Sequence, residues 1–179
     1  MRMKIKRMKI KVTYYFFKFL IKPLVYTNHR LYMKFYNRLL HHVGIKINGT
    51  PRFIAYSVKF DDFALITLGD RLVISSKVIF LTHDYSFTSS LISIGEKPET
   101  DIGLLGPITI GDNVFIGINS ILLPGTTIGN NVIIGAGSVV RGKVPDYSII
   151  SGNPALVIGD IRQHAKKLKH KNYIRRVDK

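Results

Sequence analysis

The sequence contains no cysteine, which excludes a disulfide framework, a thiolate metal site and a cysteine nucleophile. Carboxylates are equally absent from residues 1–52, which carry thirteen Lys and Arg; Asp61 is the first acidic residue. Residues 53–161 hold six basic and ten acidic residues, and residues 162–179 hold eight basic residues against Asp178 alone. The formal net charge of +16 therefore belongs to the two flanks and not to the centre. A long apolar run is also missing. Residues 12–26 are apolar but too short to span a bilayer, and Lys18, Lys22 and Pro23 interrupt them. No clean apolar run with a small-residue cleavage site marks a secretion signal, so Asn48-Gly49-Thr50 is set aside as a glycosylation acceptor and a cytoplasmic location is expected. There is no helix-turn-helix spacing, zinc-finger ligand set or basic–aromatic sheet motif, and no nucleic-acid partner is expected.

The 179 residues suffice for one domain with a sizeable core and short extensions. The decisive pattern is a repeat of six. Aliphatic residues fall at Ile110, Ile116, Leu122, Ile128, Ile134 and Val140. Four positions after each comes a small or β-branched residue: Val114, Ser120, Thr126, Val132, Ser138 and Val144. The frame reappears upstream at Leu68, Ile74 and Phe80. A period of six fits neither a helix nor a simple strand unless each hexad makes one short strand and one turn. Three such strands close a triangular coil, which buries its apolar face only by stacking on the next. The expected fold is an all-β core built as a single parallel β-helix of hexapeptide repeats over residues 53–161. Residues 82–107 break the repeat without shifting its frame and read as an excursion loop, rich in polar residues, Gly and Pro.

The flanks read as helical. Leu31, Tyr32, Phe35, Tyr36, Leu39, Leu40 and Val43 form one apolar stripe, with Asn28 as N-cap and Gly44 as stop. Residues 1–52 are thus expected as a basic amphipathic helical extension. Its first 26 residues combine aromatic faces with cations, as in helices at an anionic membrane interface. Residues 162–179 are expected as a short basic helix and tail, with Asp160 at the helix start.

The segments IGDNVFIG, LLPGTTIG, IGAGSVV and SGNPA resemble the C-terminal coils of hexapeptide-repeat acetyltransferases. The nearest likeness is to galactoside and maltose O-acetyltransferases and their capsule- and lipopolysaccharide-modifying relatives. The resemblance covers residues 60–161. It implies a left-handed β-helix, a homotrimer, and acetyl-CoA as acyl donor in a groove between subunits. It also implies transfer to a hydroxyl of a sugar or surface-polysaccharide precursor, with His83 as general base. His83 is the only histidine between residues 43 and 163 and sits where the repeat breaks. A neutral imidazole suits removal of the hydroxyl proton; without cysteine an acetyl-cysteine intermediate is excluded, and direct transfer in a ternary complex is expected. Ile118 and Ala136 match positions whose backbone lines the pantetheine arm; Arg141 and Gly142 match the border of the nucleotide, with Lys143 beside them. Phe115, where many relatives carry tryptophan, and Asp84, next to His83, are the acceptor-pocket candidates. The sequence departs from the family at Leu156 and Gly159, where basic residues are usual. The CoA phosphates then fall to Arg141, Lys143, Arg162 and Lys166. No metal is expected, because a three-histidine zinc site would need histidines that the coils lack. Two alternatives stay open: N-acetylation of an amino sugar or an antibiotic, and a non-catalytic trimeric scaffold. The localisation reading extends to peripheral contact with the inner membrane face.

Overall fold

The computed structural model describes residues 2–169. Residues 46–152 wind into a parallel β-helix with three faces. The first sheet stacks Lys46–Ile47, Ile66–Leu68, Ile108–Ile110, Thr127–Ile128 and Lys143–Val144. The second stacks Phe53–Ile54, Val73–Ile74, Phe115–Ile116, Ile133–Ile134 and Ser148–Gly152; the third stacks Lys59–Phe60, Ile79–Phe80, Ile121–Leu122 and Val139–Val140. Register is kept from coil to coil, so each hexad aliphatic residue lies on its counterpart. Ile116 pairs with Ile74 and Ile134, and Leu122 with Phe80 and Val140. The result is a dry column in which Ile110, Ile116, Leu122, Ile128, Ile134 and Val140 are at most 1% exposed. In the second slot, buried Ser120 and Ser138 both donate to the Gly135 carbonyl, and Thr126 donates to those of Leu123 and Val140. These hydroxyls fit inside because each is satisfied.

The first coil starts at Lys46–Ile47, inside the stretch 1–52 that the sequence sets apart. It is out of frame with the hexads: Phe60 and Leu68 are separated by eight residues because a 3₁₀ turn, Phe63–Leu65, fills the corner between them. The corner between first and second sheets carries a ladder of side chains. Asp70, Asp112, Asn130 and Asp146 each accept from a backbone N–H one coil earlier, at 2.7–2.8 Å. Gly111 is required there, because a Cβ would lie 2.7 Å from Asn130 Oδ1.

Three N-terminal helices cover the first coils: α1 (Arg2–Ile21), α2 (Leu24–Thr27) and α3 (His29–His42). Asn28 Oδ1 caps α3 by accepting from Leu31 N, and Gly44 (φ 111°) follows its end. α3 buries Tyr32, Met33, Tyr36, Leu39 and Leu40. Leu31 and Phe35, part of the expected stripe, remain 37% and 42% exposed. The buried face is therefore rotated toward Met33, whose sulfur accepts from Ile54 N at 3.2 Å. α1 crosses α3 and buries only Tyr14 and Lys18 among its described side chains.

The excursion is not structureless: it contains α4 (Ser86–Ser93), and His83–Asp84 pairs antiparallel with Leu104–Leu105. After the last coil, Ser148–Gly152 and Ala155–Asp160 form a hairpin that leads into α5 (Ile161–Leu168), with Asp160 accepting from Arg162 N. Residues 170–179 of the basic tail lie outside the described residues. Among the described residues no helix is long and apolar enough to cross a membrane.

Candidate active site

His83 lies three residues after Phe80, the end of a third-sheet strand, at the corner from which the excursion departs. Its backbone is fixed twice. The ladder pairs His83 with Leu105, and Gly106 N donates to the Thr82 carbonyl at 2.9 Å. Its ring is held by a residue one coil earlier: Nδ1 contacts Asp61 Oδ2 in a short ion-pair geometry. The Thr82 hydroxyl and backbone N–H also point at Asp61 Oδ2, at 3.2 and 3.4 Å, and Thr82 is fully buried. The strands beneath pair Phe60 with Phe80, so Asp61 and Thr82 meet because the coils stack in register. Nε2 of His83 has no hydrogen-bond partner among the described residues. A carboxylate on Nδ1 fixes the tautomer that leaves Nε2 free to accept a proton.

His83 lines a cavity of about 1050 Å³. One wall is the corner around Asp61, Asp62 and Phe63, with Tyr85 and Leu105 from the excursion; the other is α1, from Arg7 to Phe16. Tyr85 packs edge-on to the His83 ring, 5.1 Å between centroids. Arg7 reaches across to Asp62 at 3.5 Å.

The remaining expected site residues are dispersed. Asp84 turns away from His83: its Oδ1 accepts from Ser86 N at 2.8 Å, at the start of α4. Its pKa is held below the usual carboxylate range by that hydrogen bond, by the Ser86 side chain and by nearby Arg141. Asp84 does not line the cavity, and neither does Phe115, which projects outward from the second sheet with 42% exposure. Arg141 and Gly142 follow Val140 at the corner between third and first sheets, the corner that His83 occupies. Lys143 opens the next first-sheet strand. Ile118 and Ala136 lie at a different corner, between second and third sheets, where Gly137 N donates to the Ile118 carbonyl at 2.8 Å. Arg162 is engaged locally, with Nη2 2.5 Å from Asp160 Oδ2 and its guanidinium 4.4 Å from the Tyr147 ring centre.

Sequence reasoning missed Asp61 and the α1 wall. Asp61 stands at the corner position of its coil that Leu81 occupies in the next, a signal hidden by the out-of-frame spacing after Phe60. Nothing in the sequence of α1 tells which of its faces meets the excursion.

The fold and this corner define a hexapeptide-repeat transferase, and comparison with known proteins agrees. The bacterial transferase hexapeptide model (six repeats) matches residues 107–142. Protein CapG of Staphylococcus aureus is 44% identical over 130 residues, 70% of this chain and 72% of its own. The candidate lipopolysaccharide-biosynthesis O-acetyltransferase WbbJ of Escherichia coli is 34% identical over 136 residues, 69% of each chain. The solved acetyl-CoA complex of a hexapeptide-repeat acetyltransferase from Vibrio cholerae superposes with a TM-score of 0.50 at 31% identity, covering 59% of this chain and 54% of that one. The chain belongs to the hexapeptide-repeat acetyltransferase family, and its coil is the family's left-handed β-helix.

Proposed function

We propose that the protein transfers the acetyl group of acetyl-CoA to a hydroxyl of a sugar in a surface-polysaccharide precursor, with His83 as general base. The observation that carries this reading is the pairing of His83 Nδ1 with Asp61, which leaves Nε2 free on a cavity wall. Nε2 takes the hydroxyl proton as the sugar oxygen attacks the thioester carbonyl and forms the new C–O bond. The tetrahedral oxyanion is met by a backbone N–H, as in acyl transfer generally. Its collapse breaks the C–S bond, and the departing thiolate recovers the proton from His83. Asp61 balances the imidazolium that exists between these steps.

Acetyl-CoA is the donor in this reading, and the chain acts as a homotrimer. Arg141, Gly142 and Lys143 share or adjoin the His83 corner, whereas Ile118 and Ala136 occupy the corner between the second and third sheets in two successive coils. A threefold assembly that sets one subunit's His83 corner against a neighbour's Ile118 corner would join the two sets in one groove. The outer face of α1, where Phe19 and Leu20 are 68% and 53% exposed beside many cations, supports peripheral contact with an anionic membrane.

The test is His83→Ala, expected to lower acetyl transfer by about 10²–10⁴-fold with the trimer and its circular dichroism intact. Asp61→Asn is expected to lower turnover by less, since the base remains but its tautomer is no longer fixed. Turnover of His83→Ala within about threefold of wild type overturns the assignment. Arg141→Ala is expected to raise the KM for acetyl-CoA at low salt and to leave the acceptor KM unchanged.

A further inference from the structure

The cavity beside His83 is poorly matched to a free sugar. At about 1050 Å³ it sits at the top of the range of roughly 300–1,000 Å³ typical of pockets for drug-sized ligands. A saccharide needs partners for its hydroxyls, and the carboxylates on the wall are already engaged. Asp61 serves His83 and Thr82, and Asp62 serves Ala64 N and Arg7. Among the described residues no Asn, Gln, Ser or Thr lines the space, and the neutral hydroxyls there are those of Tyr15 and Tyr85. Seating a bare sugar against Met8, Val12, Phe16, Phe63 and Leu105 would strip water from its hydroxyls without replacing it.

The α1 wall has a different affinity. Met8, Val12, Tyr15 and Phe16 line the cavity while remaining 58–64% exposed, so hydrocarbon surface runs unbroken from the His83 corner to the outside of the helix. Cations accompany it. Arg7 and Lys11 stand on the same wall, and Lys11 has no carboxylate partner among the described residues. Residues 1–52 contain no acidic residue, and the two carboxylates on the opposite wall, Asp61 and Asp62, face His83 and Arg7.

We infer that the acceptor is an anionic amphiphile: a saccharide joined through phosphate to a hydrocarbon chain, its sugar at His83, its phosphate at Lys11 and Arg7, and its chain along the α1 face of the cavity. This rests on the assignment of His83 as the base and adds the chemical class of what reaches it. Each methylene laid on that wall adds about fourfold in affinity, and the phosphate answers the cations.

The experiment is equilibrium binding of decyl phosphate to the full chain, below its micelle concentration, against inorganic phosphate and decyl glucoside. Decyl phosphate is expected to saturate one site per chain, at least tenfold tighter than either control. Ala64→Trp, which fills the cavity from the exposed 3₁₀ turn, is expected to weaken it at least tenfold, and Lys11→Gln several-fold. Phe19→Ser, outside the cavity, is expected to change it less than twofold. Equal binding of inorganic phosphate would show an anion site without a chain channel and overturn the proposal. Equal binding of decyl glucoside would remove the phosphate from it. Loss in Phe19→Ser with normal binding by Ala64→Trp would place the probe on the outer helix face and overturn it as well. The outcome is separable from the base assignment, because binding uses no proton transfer. If His83→Ala abolishes transfer and decyl phosphate fails to bind, the acceptor class alone is wrong.

Discussion

Inside the β-helix, Ile116, Leu122 and Ile134 each meet the same kind of neighbour above and below, and the hydroxyls of Ser120, Thr126 and Ser138 that accompany them are satisfied by carbonyls of their own or the adjacent coil. The layer where α1 and α3 meet the first coil is built from unlike parts. Tyr14, Tyr32 and Tyr36 are at most 2% exposed, and the Tyr14 and Tyr36 hydroxyls bond each other at 2.9 Å. Lys18 is buried among them: its Nζ donates to Tyr14 Oη at 3.0 Å and to the Val58 carbonyl at 3.3 Å. The ammonium also lies 4.9 Å from the Tyr56 ring centre. Burial pushes all three tyrosine hydroxyls well above their ordinary range, and desolvation pushes the Lys18 ammonium down to about 8. The repeat gains its stability by translation of one apolar contact. The helical layer relies on a single polar–aromatic cluster, in which every member has a specific partner.

The difference predicts unequal responses to substitution. Ile134→Ala, at 0% exposure in the middle of the stack, should cost about 2–5 kcal/mol, read from the denaturation midpoint. A cost below about 1 kcal/mol would mean that neighbouring coils relax into the gap and that the repeat is less rigid than its register implies. Tyr32→Phe removes the donor to the Ile54 carbonyl, now at 2.9 Å, and should cost about 1–3 kcal/mol for an acceptor left buried without a partner.

The smallest effect is expected at Lys18, and there it depends on pH. Its ammonium titrates near 8 in the folded chain against 10.5 unfolded. Between those values the unfolded chain binds the proton and the folded chain does not, so stability rises with pH. The penalty of the buried charge is full below pH 8 and fades above it. The slope should approach about 1.4 kcal/mol per pH unit between pH 8 and 10, before the tyrosines of the unfolded chain ionise and oppose it. Lys18→Met should lie within about 1 kcal/mol of wild type at pH 7 and should lack this slope. An identical slope in both proteins, followed by thermal unfolding, would assign the pH response to other groups.

The hexads from Ile110 to Val140 were legible because coil stacking imposes a strict period on the sequence, and any slip would turn an aliphatic residue outward. The caps at Asn28 and Asp160 follow from local helix-start rules, and the break in the repeat marks the position of His83. The first coil escaped that reading because its corners vary in length, and pairing of Lys59–Phe60 with Ile79–Phe80 is decided by the fold rather than by a period. Asp61 became the partner of His83 only through that pairing, since 22 residues of chain separate them and nothing local links the two. The tertiary structure likewise decided which face of α1 looks toward the His83 corner. An apolar stripe states that a helix will be covered, while the direction in which it is laid down depends on the single arrangement that buries Tyr14 and Lys18 together.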